Sequence, residues 1–113
     1  MSGFRTEQQL WDYMRGRLRG TWRRVETITP PGFPDALGVF GGEAFLLELK
    51  VGEPSRGALR PDQITFAEWI GEAIPTYVAF GSRNDKTIRF FRPPDFTKPV
   101  TPPFWVGGGL IPR

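Results

Sequence analysis

Three charged residues, Asp35, Glu48 and Lys50, are spaced so that a single turn between them would bring their side chains together. The stretch reads Phe33-Pro-Asp-Ala-Leu-Gly-Val-Phe-Gly-Gly-Glu-Ala-Phe-Leu-Leu-Glu-Leu-Lys50, with a short apolar run on each side of Gly41-Gly42. Paired glycines suit a two-residue hairpin turn, whose central residues need positive φ. A hairpin folded about them sets Phe40 opposite Glu43, Leu37 opposite Leu46 and Asp35 opposite Glu48. Directly opposed residues share a face, with Cβ atoms about 5 Å apart. The period of two puts Lys50 on that face as well. Opposed like charges destabilise a sheet unless something compensates. A bound divalent cation is the compensator that chemistry offers, with an ammonium alongside.

A solvated hairpin face would carry charges at the same spacing. Here the face holding Asp35, Glu48 and Lys50 also holds Leu37, Val39, Ala44 and Leu46. The other face holds Ala36, Phe40, Phe45, Leu47, Leu49 and Val51. The expectation is a hairpin covered on both faces, with its acids where the sheet opens at one end. The register is decisive, because a three-residue loop would move Asp35 to the other face.

With 113 residues, the chain has enough length for one core and one domain. It contains no cysteine and no histidine, which excludes disulfides, thiolate zinc sites, Ser-His-Asp triads and histidine-dependent metal nucleases. A metal would have to be held by oxygen, which points to Mg²⁺ or Mn²⁺. No signal-peptide pattern and no bilayer-length apolar run is present, so a cytoplasmic protein is expected, without a membrane partner or a small organic cofactor. The net charge is +3, but arginine outnumbers lysine twelve to three. Six arginines precede residue 25, against only Glu7 and Asp12. A planar guanidinium suits phosphate, so this bias leans towards nucleic acid. An ordinary solvated surface from a GC-rich genome would show the same bias.

The elements that must position these residues can be read in order. Thr6-Glu7-Gln8-Gln9 has capping-box spacing, and Leu10, Met14 and Leu18 follow at helical intervals up to Gly20. Glu7 falls on the apolar stripe, where an acid serves the helix dipole or faces something cationic. Arg15, Arg19 and Asp12 fall outside, with Trp11 and Trp22 adding aromatic surface near them. Trp22 to Ile28 reads as a strand, and Thr29-Pro30-Pro31-Gly32 leads into the hairpin. Beyond it lies a polar loop, Gly52 to Ala58, where Arg56 and the following Arg60 could meet a phosphodiester backbone. Pro61 opens a second helix predicted to run to about Ala73, with Gln63, Phe66, Ala67, Ile70 and Ile74 on its inner stripe. An amide there acts as a cap or reaches towards the acids. Thr76–Gly81 is an apolar strand, expected parallel to Glu43–Val51 through a right-handed crossover. Lys86–Arg92 reads as an edge strand. From Pro93 the chain is rich in proline and glycine but keeps Phe96, Phe104 and Trp105. Residues 1–92 are thus read as the core and 93–113 as an extended tail of the same domain, lying on it or across a partner subunit.

Pro34-Asp35, twelve residues, then Glu48-Leu49-Lys50 resembles the active-site signature of the PD-(D/E)XK nucleases. Leu59-Arg60-Pro61-Asp62-Gln63, Gly32-Phe33-Pro34-Asp35 and Glu7 resemble the glutamine motif, the glycine-x-proline-aspartate stretch and the first-helix acid of the virus-type replication-repair nuclease (VRR-NUC) branch. Small stand-alone members are often phage-encoded, and some resemble Holliday-junction resolvases, which act as homodimers. The resemblance implies an α/β (α+β) restriction-endonuclease-like core in the order α-β-β-β-α-β, with a central mixed sheet flanked by helices. It implies that Asp35, Glu48 and the Leu49 carbonyl bind Mg²⁺ or Mn²⁺, with Glu7 as an outer ligand or a ligand to a second metal. Lys50 would orient water, and Gln63 would position Lys50 or the water. Arg15, Arg19, Arg23, Arg24, Arg56 and Arg60 are candidates for DNA backbone contacts. The implied activity is a metal-dependent endodeoxyribonuclease acting as a homodimer, with Holliday-junction or other branched DNA as its candidate substrate. The competing class is a non-catalytic nucleic-acid-binding or phage structural module with the same fold.

Overall fold

A computed structural model describes residues 2–25 and 32–107. A six-stranded sheet runs in the order β1-β2-β3-β4-β5-β6, and two helices pack against it. The strands are β1 (Thr21–Arg24), β2 (Ala36–Phe40), β3 (Glu43–Val51), β4 (Thr76–Gly81), β5 (Ile88–Arg92) and β6 (Asp95–Val100). Helix α1 spans Glu7–Met14 and α2 spans Pro61–Ile70. Only β3 and β4 are parallel, as expected of two strands joined by a helical crossover. The resulting architecture is a restriction-endonuclease-like fold with a mixed sheet.

The hairpin turns where the paired glycines predicted. Gly41 and Gly42 have φ of +62° and +77°, the left-handed pair that a two-residue turn requires. Phe40 then faces Glu43 and Leu37 faces Leu46, the register read from the sequence. One face of the sheet packs under α1, where Leu10, Trp11 and Met14 meet Ala36, Phe45, Leu47, Leu49 and Tyr77. The other face packs under α2, where Leu59 and Ile64 meet Val78, Phe80 and Phe91.

Several expectations are corrected. Helix α1 stops at Met14 and is followed by a 3-10 turn at Arg15–Arg17, so Leu18 is already extended. Its box is offset: Thr6 Oγ1 accepts from the Gln9 N–H, but Gln9 Oε1 accepts from the N–H of Arg5 rather than Thr6. Trp11 belongs to the core instead of the surface. Strand β1 starts at Thr21 and ends at Arg24, and the predicted extension to Ile28 lies outside the described residues. Helix α2 ends at Ile70, with Ile64 on its buried side beside Gln63 and Ala67. The α2 face is not covered throughout: Leu37 and Val39 are 40% and 50% exposed.

β5 is not an edge strand, because the chain after Arg92 turns back as β6. Further along, Phe104 is fully buried among Trp22, Phe45, Tyr77 and Phe90, and Trp105 bridges to Leu18. These aromatic residues make the proline-rich segment up to Gly107 part of the core of its own domain.

Candidate active site

The register that pairs Ala36 with Leu47 carries Asp35 directly opposite Glu48, just beyond the end of the β2 ladder. Asp35 does more than face Glu48. Its Oδ2 accepts the N–H of Leu49 at 2.8 Å, taking the position of the next ladder acceptor. In β geometry the N–H and C=O of one residue leave the same edge of the strand. The Leu49 carbonyl is therefore directed to the edge where Asp35 lies.

Glu48 is 5% exposed and carries three contacts. Gln63 Nε2 donates to its Oε2 at 2.7 Å, Lys50 Nζ lies 3.6 Å from the same oxygen, and the Asp35 carboxylate is near enough to act on its charge. Burial, then the charge of Asp35, pushes the Glu48 carboxyl up to about 8, with Lys50 opposing and Glu7 adding to the rise. Desolvation outweighs the nearby ammonium, as is usual for a buried carboxylate without a second cation.

Glu7 enters from the first turn of α1, half-buried. Burial and then Asp35 raise its carboxyl pKa, while Lys50 and Arg24 lower it. Its field therefore reaches the same centre. Arg24 is tied to this end of α1 through Nη1 to Gln8 Oε1 at 2.8 Å, a link that no sequence motif signalled.

Gln63 performs both tasks that its stripe position suggested. Oε1 caps the helix by accepting the Arg60 N–H at 2.9 Å, and Nε2 holds Glu48. Its side-chain partner is thus Glu48 and not Lys50. Gly32 explains why the loop before Asp35 can approach the start of α2. Its φ is +90°, and a Cβ there would lie 2.5 Å from the Asp62 carbonyl oxygen.

Among the described residues, no three acids converge at ligand spacing. The oxygen donors that do come together are the Asp35 and Glu48 carboxylates and the Leu49 carbonyl, with Glu7 outside them. Mg²⁺ is commonly held by one or two carboxylates while keeping several waters, so a pair of acids is a sufficient set. Burial first and the neighbouring Asp35 carboxylate second raise the Glu48 pKa, so a cation placed between the two acids would offset both.

The arginines divide into two groups. Arg15, Arg23 and Arg24 line a cleft of about 420 Å³ between α1 and β1, together with Trp11, Leu18, Gly20, Thr21 and Trp22. Arg19 is exposed and is not among the lining residues. Arg56 and Arg60 lie at the α2 side and pair with Glu68 and Asp62 at 3.8 and 3.2 Å.

The fold and site together define a mixed α/β architecture with paired acids, a lysine and a glutamine at the open end of its central hairpin. The chain is similar in structure to Hjc, a Holliday junction resolvase from the archaeal hyperthermophile Archaeoglobus fulgidus, with a TM-score of 0.51 and 25% identity over 76% of this chain and 72% of that one. Hjc belongs to the PD-(D/E)XK nuclease superfamily, so the structural likeness and the sequence resemblance point the same way. No protein-family model and no curated protein matches the chain.

Proposed function

We propose that this protein is a metal-dependent endodeoxyribonuclease of the PD-(D/E)XK type, acting on branched DNA as a homodimer in the manner of a junction resolvase. The observation carrying this reading is the Asp35–Glu48 carboxyl pair with Lys50 and Gln63 on the same Glu48 oxygen. The likeness to a Holliday junction resolvase supports the substrate class. The VRR-NUC branch is supported by Gly32 and Gln63, whose motifs meet at the first turn of α2.

Asp35, Glu48 and the Leu49 carbonyl would hold Mg²⁺ or Mn²⁺, which when bound supplies a more acidic water and neutralises charge on the scissile phosphate. The chain's own residues do the rest. Lys50 holds a positive charge beside the reacting phosphate, where a developing phosphorane needs it. Gln63 keeps the Glu48 carboxylate from turning away, and Glu7 bounds the anionic side of the site. Water attacks phosphorus, the P–O bond to the leaving nucleotide breaks, and that oxygen leaves with a proton.

The homodimer is supported by an uncovered apolar surface on the α2 side of the sheet. Leu37, Val39 and Trp69 are 40%, 50% and 71% exposed, and Phe33, Phe66 and Trp69 form a chain of ring contacts at 5.2 and 5.7 Å. Exposed apolar patches mark association surfaces, and the Phe33, Phe66 and Trp69 rings form one.

The test incubates purified protein with a four-way junction and with supercoiled plasmid, in Mg²⁺, Mn²⁺ or EDTA, alongside Asp35→Ala and Lys50→Ala. Metal-dependent cleavage that both substitutions abolish is expected. Equal cleavage by wild type and both variants would reject the site, and binding without cleavage in either metal would reject the activity. Light scattering of wild type and Trp69→Lys tests the dimer.

A further inference from the structure

We propose that the cleft between α1 and the free edge of β1 is the track for the phosphodiester backbone flanking the cleaved bond, with Arg15, Arg23 and Arg24 as its phosphate contacts. The proposal rests on the reading of Asp35 and Glu48 as the cleavage centre.

β1 is the outermost strand of the sheet, and no described strand pairs with its outer side. The Val25 N–H donates to the Asp35 carbonyl at 2.7 Å, so the alternation of an antiparallel ladder turns Arg23 and Thr21 towards β2. The backbone N–H groups of Trp22 and Arg24 then point away from β2 at the free edge of the sheet. The edge strand and Arg15 contribute three arginine residues to the lining of one concavity, and none of its lining residues is acidic. None of the ion pairs among the described residues involves Arg15, Arg23 or Arg24.

The cleft is aromatic as well as basic. Trp22 lies flat on β2 because Gly38 has no side chain: a Cβ there would meet the indole at 2.2 Å. Its Nε1–H is bonded to the Arg19 carbonyl at 2.7 Å, which holds the ring.

The direction of the cleft links it to the cleavage centre. β1 runs from Thr21 towards Val25, which is bonded to Asp35, and Arg24 bonds Gln8 beside Glu7. The Arg24 end of the cleft is thus the end nearer the acids. Four strand residues span about 13 Å at ~3.3 Å each, comparable with the rise of about four base pairs at ~3.4 Å. Arg56 and Arg60, by contrast, already carry acidic partners that would have to be displaced.

The test measures binding of a labelled four-way junction and a labelled duplex by fluorescence anisotropy in EDTA, over a range of salt concentrations. Each lost phosphate contact lowers the slope of log K against log salt by about 0.9. Arg15→Ala/Arg23→Ala is expected to lower it by about 2, with the melting temperature kept and the slope restored in Arg15→Lys/Arg23→Lys. An unchanged slope in the alanine pair, or a larger loss in Arg56→Ala/Arg60→Ala, would overturn the proposal. So would an acidic peptide whose binding needs Arg15 and Arg23 while DNA binding does not. Wild type that cuts and binds with an unchanged slope in the pair sinks the track alone. Wild type that neither cuts nor binds DNA sinks the nuclease reading with it.

Discussion

Gln63 Nε2 donates to Glu48 Oε2 at 2.7 Å while its Oε1 accepts the Arg60 N–H at 2.9 Å. One amide thus joins the start of α2 to the carboxylate at the end of the central hairpin. The carboxylate is buried and the Arg60 N–H is partly so, and the link is structural and chemical together.

Gln63→Ala is therefore expected to cost about 1–3 kcal/mol of stability by stranding a backbone donor and a buried carboxyl. Loss of a residue that orients a ligating group commonly costs about 10–100-fold, so kcat should fall by that order while DNA affinity is kept. Single-turnover kinetics with parallel anisotropy measurements check this, and a kcat within twofold of wild type would contradict it.

The stability of metal-free protein should depend on Glu48. Burial and Asp35 push its carboxyl from the ordinary 4.5 up to about 8, so the folded chain holds this proton more tightly than the unfolded chain. The stabilisation is complete below about 4.5 and is lost as pH rises through about 8. Tm in EDTA should fall by several degrees for each pH unit within this window, since one pKa unit is about 1.4 kcal/mol and 1 kcal/mol moves Tm by about 4 °C. Glu48→Gln should flatten the profile. A wild-type Tm that is level or rises over this range would refute the assignment.

Saturating Mn²⁺ should raise Tm of the wild type, because a ligand at about 100 times its Kd stabilises the folded state by about 2.7 kcal/mol. Asp35→Asn should blunt that rise and also raise the metal-free Tm, since Asp35 is a leading cause of the raised Glu48 pKa. Differential scanning fluorimetry with and without Mn²⁺ reads both effects. An unaltered Mn²⁺ response in the variant would remove Asp35 from the donor set.

Gly32→Ala tests whether the approach of the loop to α2 matters. The substitution places a Cβ 2.5 Å from the Asp62 carbonyl oxygen at a φ of +90°. A non-glycine residue in left-handed conformation costs roughly 1–2 kcal/mol, and the clash adds to this. Because the loop leads into Asp35, cleavage is expected to fall more than stability alone explains. Measuring both at a temperature well below Tm separates them, and wild-type cleavage would refute the prediction.

Much of this protein is legible in its sequence because the information is local. Gly41-Gly42 selects a two-residue turn, the turn selects the register, and the period of two then sets Asp35 against Glu48 with Lys50 beside it. No distant contact is needed for that inference, nor for Pro61 starting α2 or for the apolar run of β4. Tertiary structure decided the matters that depend on which surfaces meet. It made Trp11 a core residue, ended α1 early so that Leu18 could bridge Trp105, and turned the proline-rich segment into β6 with Phe104 buried beneath β3 and β4. It also separated the arginines, leaving Arg15, Arg23 and Arg24 in a cleft while Arg56 and Arg60 found acids. The reason is physical: turn conformation and side-chain alternation are properties of neighbouring residues, whereas burial and ion pairing are settled between segments far apart in the chain.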